Sequence, residues 1–163
     1  MRSVRATFPG MAATIINGAE GAKALVGEHL GYSDWIEITQ ERVNQFAEAT
    51  GDYQWIHVDP ERAKAESPFG GPIAHGYLTL SLGPMLQPQI MQFTGFKMGV
   101  NYGANKVRFP SPVPVGANLR LGSKLLAVDD IAGGIQCTFE FTFEVEGASK
   151  PSCVAEIIFR SYE

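Results

Sequence analysis

Cysteine is scarce in this chain. Only Cys137 and Cys153 occur, sixteen positions apart and both in strand-patterned segments. No Cys-x-x-Cys pair exists, so a structural zinc site has no support, and two buried free thiols are expected rather than a disulfide. Charge is also scarce. Charged residues make up 18% of the chain, 17 acidic against 13 basic, for a net charge of −4. Such a chain has no basic field to hold a polyanion, so no nucleic-acid partner is expected. Long apolar runs are missing as well, and none approaches the ~20 residues of a membrane span. Arg2 and Arg5 are not followed by a continuous apolar segment, so no signal peptide is expected and a cytoplasmic protein is. Residues 1–13 read as a loose leader, with Met11 as an alternative start.

What is present suits one domain over residues 14–163. Hydrophobic residues make up 45% of the 163, and a chain of this size buries about 68–70% of its unfolded surface. Low surface charge fits a protein that hides part of its surface in an oligomer.

Residues 17–27 read as a short helix weakened by Gly18 and Gly21, and residues 35–38 as a short strand. A clearer helix begins after Thr39, a good N-cap, with Glu41 in its first turn. Val43, Phe46, Ala47 and Thr50 repeat at helical spacing and predict one buried stripe, and Gly51 ends the helix. Asp59-Pro60 starts another helix, and Ser67 to Pro72 is a turn cluster. Residues 77–82 are ambiguous. Leu78, Leu80 and Leu82 alternate as in a strand, whereas Leu78, Leu82, Met85 and Leu86 fit a helix face that Pro84 would kink. Strand patterns dominate the second half, most clearly where Phe139, Phe141, Phe143 and Val145 alternate with polar residues. Turns are expected at 129–134 and 147–151, and a stiff extended connection at 109–116. Helices first and antiparallel strands later argue for an α+β fold.

The chemistry concentrates in Gly51-Asp52-Tyr53-Gln54-Trp55-Ile56-His57. On a continuous helix Asp52 and His57 would point roughly 140° apart. The glycine stop before them and the new start at Asp59-Pro60 instead predict a short ordered loop on which acid and imidazole converge. A second histidine stands in Ile73-Ala74-His75-Gly76. Carboxylate, imidazole and a glycine N–H are the parts needed to move protons beside a thioester carbonyl.

With Tyr102-Gly103-x-Asn105-Lys106-Val107-Arg108-Phe109 and Pro112-Val113-Pro114-Val115-Gly116 added, these segments, in their order and spacing, resemble the MaoC-like family of (R)-specific enoyl-CoA hydratases over residues 30–160. The family motif usually reads Gly-Asp-x-Asn-Pro-x-His. Gln54 and Trp55 replace Asn-Pro here, a change in loop shape and acyl-chain fit that keeps the acid and the imidazole. The resemblance implies a hotdog fold, with a curved antiparallel sheet wrapped around a long central helix after His75, and a homodimer with its active sites near the interface. It implies catalysis by Asp52 and His57, which hold one water for addition to trans-2-enoyl-CoA. Gly76 serves as the oxyanion-hole donor, and the product is an (R)-3-hydroxyacyl-CoA. No metal and no cofactor beyond the CoA thioester substrate are implied.

Each residue also has an ordinary reading. His75 is expected to be structural, packing or bonding backbone to shape the turn at Gly76. His29 reads as a surface residue. Trp55 and Tyr53 fit an acyl tunnel or simple core and dimer packing. Asn101 and Tyr102 fit substrate contact or strand packing. Lys97, Lys106, Arg108 and Lys124 fit CoA phosphates or a solvated face. An Asp52–His57–His75 metal site lacks a third ligand at ordinary spacing on one helix or strand. Three other activities compete: the reverse dehydration of carrier-protein or CoA thioesters in chain elongation, thioester hydrolysis, and acyl-CoA binding without turnover.

Overall fold

The computed structural model describes residues 12–163. Most of the expected leader, residues 1–11, lies outside them. Eight strands and six helices follow in the order β1 (Thr14–Asn17), α1 (Gly18–Lys23), β2 (His29–Tyr32), β3 (Ile36–Glu37), α2 (Gln40–Thr50), α3 (Trp55–Val58), α4 (Pro60–Glu66), α5 (Gly76–Ser81), α6 (Gly83–Ile90), β4 (Met91–Thr94), β5 (Met98–Arg108), β6 (Asn118–Ile131), β7 (Gly134–Val145) and β8 (Cys153–Tyr162).

The main sheet is antiparallel, with strands ordered β2-β6-β7-β8-β5 and β3 paired to β6. A separate two-stranded parallel pair joins β1 to β4. The alternation read in β7 survives in three dimensions, where Phe139, Phe141 and Phe143 are fully buried and Thr138, Glu140 and Thr142 are not. Leu119, Leu121 and Leu125 of β6 share that inner face.

The ambiguous run is helical. Packing decided between two patterns that the sequence carried together: α5 and α6 follow end to end through Leu82, whose backbone stays right-handed helical. Leu78, Leu82, Leu86 and Ile90, one per turn, form the buried stripe laid across the sheet. Met85, which the helical spacing also placed on that face, is exposed and not part of the stripe. The helix assignment breaks where Gly83 and Pro84 begin α6. Gly83 has a packing reason as well, since a Cβ there would stand 3.2 Å from the Phe141 ring.

Two other expectations change. Thr50 is exposed rather than buried, and its hydroxyl bonds back to the Phe46 carbonyl at 2.7 Å. Asp129 and Asp130 belong to β6, so the expected turn over 129–134 narrows to the two residues between β6 and β7. Cys137 and Cys153 are free and buried, and burial pushes both thiols up to about 12.

Candidate active site

Local chain chemistry delivers Asp52. The Thr39 hydroxyl caps α2 by accepting from the Arg42 N–H at 3.2 Å. Gly51 ends the helix in the left-handed region (φ 75°), its N–H bonded to the Ala47 carbonyl. Asp52 therefore leaves a rigid helix and lies exposed, with Oδ1 accepting from the Gln54 N–H at 3.3 Å. His57 is not on the loop itself. It sits buried on α3, a single helical turn between the loop and the Asp59 cap of α4. That turn shortens the path from acid to imidazole.

Long-range bonds hold the second half of the site. The Ile73 N–H donates to the Ile56 carbonyl at 3.0 Å and the Ala74 N–H to Val113 at 2.8 Å. The proline-rich connection thus clamps residues 72–74 against α3 and presents His75 as the residue before α5, with Gly76 first in the helix.

The rings then define their own tautomers. A carbonyl only accepts, so His57 Nδ1–H donates to the Ile73 carbonyl at 2.7 Å, leaving Nε2 bare. His75 Nε2–H donates to the Asp52 carbonyl at 3.0 Å, leaving a buried Nδ1 with no partner. His75 was expected to pack or bond backbone to shape the Gly76 turn; it does pack and bond backbone, but the bond goes to the Asp52 loop. The two rings stack with centroids 3.9 Å apart and planes 28° apart.

One ligand atom each from Asp52, His57 and His75 lies within 4.8 Å of the others. The third candidate ligand that was missing from local spacing is therefore supplied across 23 residues. Stacking keeps the in-plane lone pairs of the two rings in planes only 28° apart and not in one common plane, so sharing one metal ion would require the rings to shift.

Burial lowers the pKa of His57 below its ordinary 6.5; His75 adds to that shift, while the Ile73 carbonyl and Asp52 oppose it. The folded state then binds fewer protons than the unfolded state between the lowered value and 6.5. The stability set by a neutral His57 is complete above 6.5 and is lost as pH falls from there toward the lowered value. Measured by denaturant unfolding, the stability of wild type relative to the non-titrating His57→Gln should decline on acidification through that window. A constant difference would contradict the burial argument.

A cavity of about 290 Å³ opens beside the pair, bounded by His57, Gly76, Thr79, Phe109, Val113 and Ser152. The Phe109 ring lies on Gly76, where an added Cβ would meet its Cγ at 3.0 Å, so a side chain there would have to push the ring aside. Trp55 and Tyr53 do not line this cavity. The Arg62 guanidinium covers Trp55 at 4.4 Å, and the Tyr53 hydroxyl bonds Glu48. Asn101 and Tyr102 are exposed on β5 and border a different cavity, about 470 Å³, between α5–α6 and the sheet. His29 is exposed as expected, and Lys106 is ion-paired with Glu156.

Gln40 was not singled out from sequence, and Ile73 and Phe109 entered only as members of the motifs, without a role. Gln40 Nε2–H donates to the His57 carbonyl at 2.7 Å across 17 residues. No local pattern signals such a contact.

Residues 22–141 match the MaoC like domain. The chain belongs to the MaoC-like family. Over 138 residues it is 59% identical to the 3-hydroxyacyl-thioester dehydratase Z of Mycobacterium tuberculosis, covering 84% of this chain and 91% of that protein. The solved structure of a monoamine oxidase regulatory protein from Archaeoglobus fulgius superposes with a TM-score of 0.75 at 20% identity, over 94% of this chain and 99% of that one. The (R)-hydratase from A. caviae involved in PHA biosynthesis gives 0.67 at 24%, over 82% and 94%. The expected α+β hotdog fold stands, and this MaoC-like protein is a hydro-lyase of the dehydratase/hydratase type.

Proposed function

We propose that this MaoC-like enzyme adds water reversibly to trans-2-enoyl-CoA, giving (R)-3-hydroxyacyl-CoA. The observation that carries the reading is the fixed tautomer of His57. With Nδ1–H spent on the Ile73 carbonyl, the bare Nε2 is free to act as the base. The Asp52 carboxylate holds the water's second hydrogen. As the water oxygen bonds to C3, its proton passes to His57 Nε2 and the π electrons move through C2 onto the thioester oxygen. The Gly76 N–H, at the positive end of α5, stabilises that enolate. Return of the proton from His57 to C2 restores the base and completes the addition of H and OH. The R configuration follows from the family resemblance. The apolar cavity beside His57 suits the acyl chain. Residue roles are part of this proposal, as is chemistry with no cofactor and no metal.

Run backwards, the same site dehydrates 3-hydroxyacyl thioesters, the direction named for the mycobacterial relative. An acidic carrier protein would need a local basic patch to dock on a chain with a surplus of acidic residues, and assay of CoA against carrier-protein thioesters separates the two substrates.

We also propose a homodimer. Strand β5 is a sheet edge paired only with β8 among the described residues. Met98, Val100 and Tyr102 are exposed along it, and an edge of this kind invites a second copy. No helix among the described residues is long and apolar enough to cross a membrane. Two buried free thiols agree with a reducing compartment, so the proposal places the enzyme in the cytoplasm.

The test is ultraviolet absorbance of a short 2-enoyl-CoA with pure enzyme, a thiol reagent in parallel, and chiral analysis of the product. Loss of enoyl absorbance without free thiol, giving the R product, is expected. Released thiol would replace the reading with a thioesterase, and binding without turnover would replace it with a carrier role.

A further inference from the structure

His75 is a buried titratable group that the proposed chemistry leaves unused. Its surroundings are specific. The side chain is 2% exposed. One nitrogen reaches the Asp52 carbonyl, on the loop that carries the acid. One ring face stacks on His57, and Phe46 of α2 lies 5.1 Å away on a tilted plane. The other nitrogen is bare, buried and unpartnered.

We propose that His75 is a positioning residue for the hydration reaction, acting through Asp52 and His57 at once. Its Nε2–H ties down the backbone of Asp52, so the carboxylate hangs from a fixed point although its own atoms face solvent. Its ring covers one face of His57, and with the Ile73 bond in the ring plane this holds the imidazole in one orientation close to the carboxylate. The neutral His75 ring also presents a π face to the positive charge that His57 gains while it holds the water's proton, an attraction that operates within about 6 Å of a ring centroid. A residue that only filled space would need neither the donor nor the parallel ring.

This inference rests on the hydration reading, and the experiment separates the two. Three variants divide the functions of the side chain. His75→Phe keeps a ring and loses the donor, His75→Gln keeps an N–H donor and loses the ring, and His75→Ala loses both. Each is assayed for hydration with wild type, Asp52→Asn, and each change combined with Asp52→Asn, after circular dichroism confirms the fold. His75→Ala should lower kcat by about 10–100-fold with KM within about twofold, as expected when a reacting group is misplaced rather than substrate binding lost. His75→Phe and His75→Gln should each recover part of that loss. In the Asp52→Asn background the change at His75 should cost much less than in wild type, because residues acting as a unit are not additive. A kcat within twofold of wild type in folded His75→Ala would overturn the proposal. So would a loss carried wholly by KM, or one that multiplies fully with that of Asp52→Asn. Wild-type turnover by Asp52→Asn would instead sink the reading of the loop itself, and the positioning role with it.

Discussion

In His57→Ala, kcat for enoyl-CoA hydration is expected to fall by about 10²–10⁴-fold, the usual contribution of a positioned acid or base. The argument is geometric. His57 is the one imidazole in the site whose free nitrogen is not sealed in the interior, since its Nδ1 is committed to Ile73 and the bare nitrogen of His75 is buried. Removal of a buried ring stacked on another also leaves a void, and repacking around it adds to the loss in this variant. Asp52→Asn supplies the control. That side chain is exposed, and the change alters charge and one hydrogen-bonding group at nearly constant volume. A fall of similar order in Asp52→Asn, with an unchanged unfolding transition, would tie the loss to chemistry. Hydration at wild-type rate by the double variant would remove both residues from the site.

Phe141→Ala should destabilise the fold by about 3–5 kcal/mol, the range for truncation of a large buried aromatic. Phe141 is nearly inaccessible and lies between Phe139 and Phe143 on its own strand and Phe159 on β8, with ring centroids 6.1–6.4 Å apart. It also meets the central helix at Gly83, where an added Cβ would stand 3.2 Å from its ring. Helix and sheet are both held there, so neighbours cannot collapse into the space. Thermal unfolding should drop on the order of 10 °C for a domain of this size. Thr142→Ala, one residue along and on the outer face, should change stability by about 0.5 kcal/mol or less. Equal effects at the two positions would mean that β7 does not turn one face to the core.

Residue patterns that act over a few positions were legible before folding. The cap at Thr39, the left-handed stop at Gly51 and the start at Asp59-Pro60 are decided by neighbouring backbone atoms, and all three formed as read. So did the alternation of β7, because a period of two admits one buried face. The segment after His75 was not legible from periodicity, since leucines at 78, 80, 82 and 86 satisfy both periods, although the family resemblance implied a helix there. Only the sheet, which takes one leucine per helical turn, chose between them.

The site divides along the same line. The sequence by itself determined that an acid and an imidazole stand five positions apart between a helix stop and a helix start, with a second histidine before a glycine. Those are local facts of chain chemistry. What the groups do to one another was decided by tertiary structure. Ile73 fixes the tautomer of His57 across 16 residues, His75 holds the Asp52 backbone across 23, and Gln40 holds the His57 carbonyl across 17. Trp55, adjacent in sequence, turned to Arg62 instead of the cavity. Hydrogen-bond direction and burial depend on which distant backbone groups arrive, and Ile73 and His75 arrive when the proline-rich connection holds residues 72–74 against α3.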